Sequence, residues 1–275
     1  MTHLWLIANS MSSTTNASVI DAVRAHFEEQ GGIISRQVDL ADEALPALLD
    51  DLPDIIASLG GDGTANAVID ACSREDAPPL LILPGGTMNL LAAKLHGEAD
   101  IEQVIEAGLA AVRTGSRICT LPQVNGPDFR SLVGIIAGPT AYWGAVREDI
   151  RQGEVGALAD DISAALQETF SGARVRLSDQ DADHTALFIE PQDDGLCAHD
   201  IVAENMADIA RHGWAWLNRD FLGGPTTQLE CAPAIQIICD DERLELLVDG
   251  EQMSAASPLH LSLSQCPARF IRTVK

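Results

Sequence analysis

The first 113 residues alternate short apolar runs with segments of helical periodicity. The apolar runs have the length and composition of β-strands and fall at residues 4–8, 33–38, 55–59 and 80–83. The segments with helical spacing are 19–29, 64–72, 88–95 and 101–112. Strands and helices in this order predict an α/β domain with a mainly parallel sheet covered by helices. Segments 54–59 and 80–83 are almost wholly apolar, as expected of strands buried on both faces.

The pattern changes after about residue 117 to short runs with a period of two. These runs fall at 173–177, 186–190, 235–239, 244–248 and 259–263 and predict a mostly β sandwich domain. Helical patterns interrupt them near 141–151, 157–170 and 203–218. We therefore expect a nucleotide-binding α/β domain over residues 1–117 and a β-rich substrate domain over 118–275. The last strand of the second domain could return to the first.

Charge excludes some classes of partner. Seventeen Lys and Arg residues stand against 41 Asp and Glu residues, a formal net charge of −24. This charge repels nucleic acid and anionic membrane surfaces, so we expect no nucleic-acid partner and only weak, peripheral membrane contact. No stretch approaches the ~20 apolar residues needed to span a bilayer, and the N-terminal segment lacks the features of a secretory signal. We expect a cytoplasmic protein.

The six cysteines are widely scattered and form no C-x-x-C pair. This distribution predicts reduced thiols buried in the core. Cys197 and His199 are two residues apart, but no second pair at ligand spacing accompanies them. We therefore do not expect a structural zinc site.

A glycine-rich segment, GGDGT at residues 60–64, follows the apolar strand at 55–59 and opens a helix. Backbone amides at such a turn can converge on an anion, and glycines let phosphate approach the main chain. The chain has only two lysines, neither after a glycine, so a Walker A loop is excluded. Asp62 could hold a metal ion on the phosphates, and Thr64 is suited to cap the helix. The alternative is an ordinary strand-to-helix turn, which rarely needs three glycines around an aspartate.

A second glycine turn, PGGTMN at residues 84–89, ends the next strand and again precedes a helix. Two adjacent strands ending in such loops predict a shared nucleotide pocket. The pair GGDGTxN and PxGTxN resembles the catalytic domain of the diacylglycerol kinase, sphingosine kinase and bacterial lipid kinase family. NAD kinase, of the same superfamily, lacks Thr-x-Asn in the second motif and fits less well. The resemblance implies that ATP is bound by Asn9, Gly60, Gly61, Gly63, Thr64, Gly85, Gly86, Thr87 and Asn89.

Two later segments extend the resemblance to about residue 272. DGE at 249–251 resembles the family motif whose glutamate lies beside the terminal phosphate, which implies that Glu251 is the general base. Asp62 of the first glycine segment is the second catalytic candidate. DDG at 193–195 resembles a family metal site of the second domain, which implies that Asp193 and Asp194 bind metal there, in addition to the metal role of Asp62 at the phosphates. From the residues alone, DG at 249–250 also fits a type I′ hairpin turn and DDG a solvated turn.

The resemblance implies a lipid kinase that uses ATP and Mg²⁺ to phosphorylate a hydroxyl of diacylglycerol or a related lipid. The chain departs from the family pattern where aspartate is replaced by Thr120 and glutamate by Ala67, and where Ser10 replaces the proline after Asn9. These departures leave open a weak or inactive nucleotide-binding protein of the same fold, and a kinase of a soluble hydroxyl substrate is a further alternative. The sequence leaves the lipid and the oligomeric state open, a homodimer included. An apolar stripe that could line a lipid cleft or pack in the core comprises Met206, Ile209, Trp214, Trp216 and Leu217.

Overall fold

The computed structural model describes residues 1–12, 14–45, 52–74, 76–139, 173–202, 205, 207–208, 211–212, 215 and 222–274. Contacts between Cα atoms divide the chain into two compact units. Unit 1 comprises Met1–Leu121 and Gln265–Lys275, and unit 2 comprises Pro122–Ser264. The division assigns residues 118–121 to unit 1, whereas the sequence placed the boundary at 117. It also assigns the final segment to unit 1, a return that the sequence left open for the last strand.

The elements up to residue 137 are β1 (Thr2–Ala8), α1 (Ala17–Glu29), β2 (Gly32–Asp39), β3 (Ile55–Gly60), α2 (Asp62–Ala71), β4 (Leu80–Pro84), α3 (Leu90–His96), α4 (Ile101–Thr114), β5 (Ile118–Cys119), β6 (Pro122–Asn125), β7 (Arg130–Ser131) and β8 (Ile135–Ala137). The later elements are β9 (Val175–Leu177), β10 (Ala186–Gln192), β11 (Gly195–Ile201), β12 (Thr226–Ala232), β13 (Ala234–Cys239), β14 (Arg243–Val248), β15 (Glu251–Ala256), β16 (Leu259–Gln265) and β17 (Phe270–Ile271).

Unit 1 contains a six-stranded sheet in the order β2-β1-β3-β4-β17-β5. Every neighbouring pair runs parallel except β17 and β5 at one edge, so the predicted mainly parallel sheet is present. One face of β1 and β3 packs in a core with α1 and α4. On the other face, Trp5, Ile7 and Ile56 meet Val68 and Ala71 of α2 around a small cavity. Helices thus cover both faces, which explains the unbroken apolar runs of the central strands.

Helix α2 begins at Asp62, two residues before the start predicted at Thr64. Gly61 is the N-cap, with an extended backbone at φ −82° and ψ −176°, and it supplies no side-chain capping bond. The prediction that Thr64 caps the helix is therefore wrong. Thr64 lies in the first turn with its side chain directed inward, and the residue is 6 % exposed.

Unit 2 contains two sheets, ordered β12-β11-β10-β8-β14-β15 and β7-β6-β16-β13-β9. One apolar core takes residues from both sheets, as in the predicted sandwich. Strand β10 is buried on both faces, because Leu187 and Ile189 enter this core while Ala186 and Phe188 enter a second cluster on the opposite face.

The prediction that all six cysteines are reduced is wrong for two of them. Cys197 of β11 and Cys231 of β12 form a disulfide with a Cα–Cα distance of 4.0 Å. They lie directly opposite in the antiparallel register, which brings their side chains together across 34 positions of sequence. Linear spacing carries no sign of this pairing. The remaining thiols are Cys72, Cys119, Cys239 and Cys266.

Several sequence-based interpretations fall outside the described residues. These are the helical patterns at 141–151 and 157–170 and all five members of the apolar stripe from Met206 to Leu217. Within the part of the chain that is described, no helix is both long and apolar enough to cross a membrane.

Candidate functional site

The two glycine loops lie side by side in unit 1. Strands β3 and β4 are parallel neighbours, and Gly60 pairs with Pro84 at their carboxyl ends. The Gly85 amide donates a hydrogen bond to the Gly60 carbonyl at 3.0 Å and joins the two loops directly. Ligand sites of open α/β sheets lie at this edge of the sheet, so the predicted nucleotide residues of unit 1 are brought together.

The first loop turns sharply enough that only glycine fits at its beginning. A Cβ on Gly60 would lie 2.5 Å from the Thr64 hydroxyl oxygen. Thr64 Oγ1 in turn accepts a hydrogen bond at 3.2 Å from Nδ2 of Asn9, which follows β1. Asn9 and Thr64 thus connect the end of β1 to the first turn of α2, so part of the motif shapes the loop itself.

Asp62 joins the beginnings of two helices. Its Oδ1 atom accepts a hydrogen bond at 3.2 Å from the amide of Leu91 in α3. Asn89, the N-cap of α3, has a left-handed backbone and makes no side-chain capping bond. The Asp62 carboxylate therefore satisfies one of the amides that a helix leaves without an intrahelical partner.

The second loop directs its two glycine amides into the protein. The Gly86 amide donates to Asn89 Oδ1 at 2.7 Å, and Asn89 Nδ2 donates to the Gly86 carbonyl at 2.7 Å. A Cβ on Gly86 would lie 2.3 Å from the Gly61 Cα atom. With the Gly85 amide bound to Gly60, these contacts give Gly85, Gly86 and Asn89 a structural part in the site. Thr87 of the same loop is exposed.

The N-terminus of α2 offers the better position for a phosphate group. The first amides of a helix have no intrahelical partner, and the helix dipole favours an anion there. The carboxylate of Asp62 lies in the same turn and would repel a phosphate unless a cation lay between them. Mg²⁺ commonly takes one or two carboxylates plus substrate phosphates and water, so a single aspartate beside this turn fits such an ion.

The loop after β1 contributes residues that sequence reasoning missed. The Asp39 carboxylate, at the end of β2, accepts hydrogen bonds from the amides of Ser10 and Ala41. Burial acts to raise the pKa of Asp39, but hydrogen bonds from Ser10 and Ala41 outweigh it and lower the pKa below its usual value. The hydroxyls of Ser12 and Thr15 reach the second glycine loop. No motif indicates these contacts, because their partners lie far away in the sequence.

Glu251 lies in unit 2, directly after the turn between β14 and β15. Asp249 and Gly250 both have positive φ, 47° and 90°, and Val248 pairs with Glu251 across a two-residue turn. The type I′ hairpin is therefore present. Glu251 is exposed at the first position of β15.

Asp249 is 9 % exposed and holds a neighbouring loop. Its Oδ1 atom accepts from the Ser131 hydroxyl at 2.6 Å and from the amides of Val133 and Gly134. Its Oδ2 atom accepts from the Leu132 amide at 3.0 Å. The aspartate of the DGE segment is thus a structural residue that fixes the hairpin carrying Glu251.

The proposed metal residues of unit 2 are placed differently. Asp193 and Asp194 form the exposed two-residue turn between β10 and β11. Thr120, where the family has an aspartate, is exposed. Among the residues that the structure describes, no group of three or more His, Cys, Asp or Glu side chains could hold a metal ion. The metal role of Asp193 and Asp194 stays a prediction.

Known proteins resemble both the first unit and the whole fold. Residues 3–120 match the diacylglycerol kinase catalytic domain. A diacylglycerol kinase of Staphylococcus haemolyticus (strain JCSC1435) is 36% identical over 89 residues, which cover 32% of this chain and 27% of that protein. The matched segment thus spans about a quarter of the relative's length.

Solved structures extend the similarity in fold to nearly the full chain. A diacylglycerol kinase from Bacillus anthracis strain Sterne has a TM-score of 0.60 at 14% identity, covering 98% of this chain and 97% of its own. A second structure from the same strain gives a TM-score of 0.62 at 17% identity, with the same coverage of both chains. The family match itself covers residues 3–120, less than half of the chain, and the likeness to the solved structures is one of fold.

Proposed function

We propose that this protein is an ATP-dependent lipid kinase that transfers the γ-phosphoryl group of ATP to a lipid hydroxyl such as that of diacylglycerol. The observation that carries the proposal is the pair of joined glycine loops at the carboxyl ends of β3 and β4, with Asp62 in the first loop and hydrogen-bonded to the helix that follows the second. These loops lie within the residues that match the family.

The α2 N-terminus receives the phosphates of ATP in this proposal. Mg²⁺, when bound, neutralises charge on the β- and γ-phosphates. Asp62 is the residue of unit 1 that would hold it, because its carboxylate lies in the first turn of that helix. The Gly85 amide donates to the Gly60 carbonyl of the first loop and the Gly86 amide donates to Asn89 in its own loop, so we assign neither amide to the phosphates.

Glu251 is the proposed general base. The lipid hydroxyl oxygen forms a bond to the γ-phosphorus, the bond to the β-phosphate oxygen breaks, ADP leaves, and the hydroxyl proton passes to the Glu251 carboxylate. Exposure of this carboxylate on a fixed hairpin supports the assignment. A base within hydrogen-bond reach of the nucleophile contributes about 10²–10⁴-fold to such reactions.

The test is transfer of labelled γ-phosphate from ATP to diacylglycerols, monoacylglycerols and sphingoid bases. Glu251→Gln should lower transfer at least roughly a hundredfold while calorimetry shows unchanged ATP affinity, because the substitution is nearly isosteric. Glu245→Gln on β14 of the same hairpin is the matched control and should keep wild-type activity. A fully active Glu251→Gln variant would show that another group accepts the proton.

A nucleotide-binding protein without kinase activity is the second candidate. Exposed Thr120 in place of the family aspartate favours it. Wild-type protein that binds ATP but phosphorylates neither the lipids nor a panel of soluble polyols would establish this candidate. Phosphorylation of a polyol alone would assign a soluble substrate instead.

A further inference from the structure

We propose that Thr15 is a positioning residue for the nucleotide, holding the second glycine loop against the first through the carbonyl of Gly85. The inference rests on the proposed ATP site and adds a residue that neither glycine motif contains. Thr15 touches the loop and not the reacting atoms, so its effect is expected on nucleotide binding.

The hydrogen bond from Thr15 to the Gly85 carbonyl is short and buried, and a second hydroxyl donates to the same oxygen. Thr15 is 2 % exposed, and its Oγ1 atom donates to the Gly85 carbonyl oxygen at 2.7 Å. Ser12 Oγ donates to the same oxygen at 2.9 Å. The Thr15 amide also donates to the Ser12 carbonyl at 3.1 Å, which closes the turn before α1. The turn after β1 therefore presents two hydroxyls to one peptide carbonyl.

The amide of Gly85, in the preceding peptide group, binds Gly85 to the first loop. This amide donates to the Gly60 carbonyl at 3.0 Å. A Cβ on Gly85 would lie 2.5 Å from Thr15 Oγ1 and 2.6 Å from the Gly60 nitrogen. Thr15, Gly85 and Gly60 thus lie in direct contact, too close together for a side chain at position 85.

This contact connects Thr15 to the proposed phosphate position. Gly60 precedes Gly61, the N-cap of α2, and Gly86 packs on the Gly61 backbone. Loss of the Thr15 hydroxyl leaves Ser12 as the one side-chain donor described on the Gly85 carbonyl. The second glycine loop is then held less firmly against the first. Because the first amides of α2 bind phosphate only when well oriented, a looser contact between the two glycine loops weakens ATP binding.

The experiment compares Thr15→Val, Thr15→Ser and Thr114→Val with wild type. Valine keeps the shape of threonine without the hydroxyl, and serine restores the donor. Thr114 Oγ1 donates to the Ala110 carbonyl at the exposed end of α4, so its variant controls for loss of a similar bond. Thr15→Val should weaken ATP binding about tenfold in calorimetry, with Thr15→Ser near wild type and Thr114→Val unchanged.

Steady-state kinetics separate positioning from general destabilisation. Thr15→Val should raise KM for ATP about tenfold and leave KM for the lipid unchanged, which a global loss of stability would not do. Thr15→Ala is the second variant if valine prevents folding.

Three results would overturn the assignment. They are wild-type ATP affinity in a folded Thr15→Val or Thr15→Ala variant, an equal loss in Thr15→Ser, and failure of both the valine and alanine variants to fold. Absence of ATP binding by wild-type protein would instead overturn the proposed function itself, and this assignment with it. That outcome is visible before any variant is made.

Discussion

Two aspartates in hairpin turns of the same sheet have very different surroundings. Asp249 receives hydrogen bonds from the Ser131 hydroxyl and from the amides of residues 132–134. Asp194 is exposed between β10 and β11. The first carboxylate is part of the fold of unit 2, and the second is a turn residue in solvent.

Asp249→Asn should lower the free energy of unfolding by at least about 2 kcal/mol. The amide keeps one acceptor oxygen, so buried donors lose their partner and the new NH₂ group faces other donors. Asp194→Asn is the matched control and should change stability by less than about 0.5 kcal/mol. Urea denaturation of both variants is the measurement, and equal stabilities would show that the Asp249 bonds contribute nothing net.

Single residues were predictable where local chemistry decides and were missed where the partner is remote. The glycine loops follow apolar strands, so their place at the sheet edge could be read from the sequence. Thr15 and Asp39 act through Gly85 and Ser10, distant in sequence, and the disulfide partners are 34 positions apart. Such pairings depend on which strands become neighbours in the sheet, and the local sequence around each residue does not indicate the order of the strands.

At the scale of elements, the two helices that follow the glycine loops begin differently from the prediction. With Gly61 as its N-cap, α2 begins at Asp62 and not at the predicted residue 64. Asn89 has a left-handed backbone, so α3 begins at Leu90 and not at the predicted residue 88. Helix α3 ends in the protein interior at His96, which is 2 % exposed and has Nδ1 3.0 Å from the Thr273 hydroxyl. Burial lowers the pKa of His96 to about 4.

This buried histidine should make stability fall in mild acid. Unfolded His96 takes up a proton as the pH falls below about 6.5, whereas the folded side chain stays neutral until about pH 4. Its contribution is therefore complete above pH 6.5 and is lost as the pH falls toward 4, by about 3 kcal/mol in all.

The measurement is urea denaturation of wild type and His96→Gln at pH 7, 5.5 and 4.5. The stability difference between the two proteins should shrink or reverse as the pH falls, since glutamine does not titrate. Exposed His3 provides the control variant, His3→Gln, which should follow wild type. Parallel curves for wild type and His96→Gln would contradict the prediction.

At the scale of the whole molecule, the net charge of −24 is the reason to expect only weak contact with a membrane. Arginines clustered on one face would offset this charge, and the candidates for such a cluster are Arg147, Arg151, Arg211 and Arg219. Of these four, only Arg211 lies within the described residues, and it forms an ion pair with Asp208. The net charge of the chain opposes attraction to anionic headgroups.

Vesicle composition tests this expectation. Raising the fraction of phosphatidylserine at low salt should leave co-sedimentation unchanged or reduce it, because repulsion is least screened there. Added salt should diminish the difference between anionic and zwitterionic vesicles. Strong recruitment by anionic vesicles at low salt would reveal a basic face.

Strand β17 has a consequence for how the protein is made. It lies between β4 and β5, and the Leu80 amide donates to the Arg269 carbonyl at 2.8 Å. A ribosome adding 5–20 residues per second completes β4 about 10–40 s before β17. Throughout that interval one side of β4 is an unpaired strand edge, open to pairing with other nascent chains. The sheet of unit 1 is thus begun first and completed last. The time for which the edge of β4 stays unpaired depends on the speed at which all of unit 2 is translated.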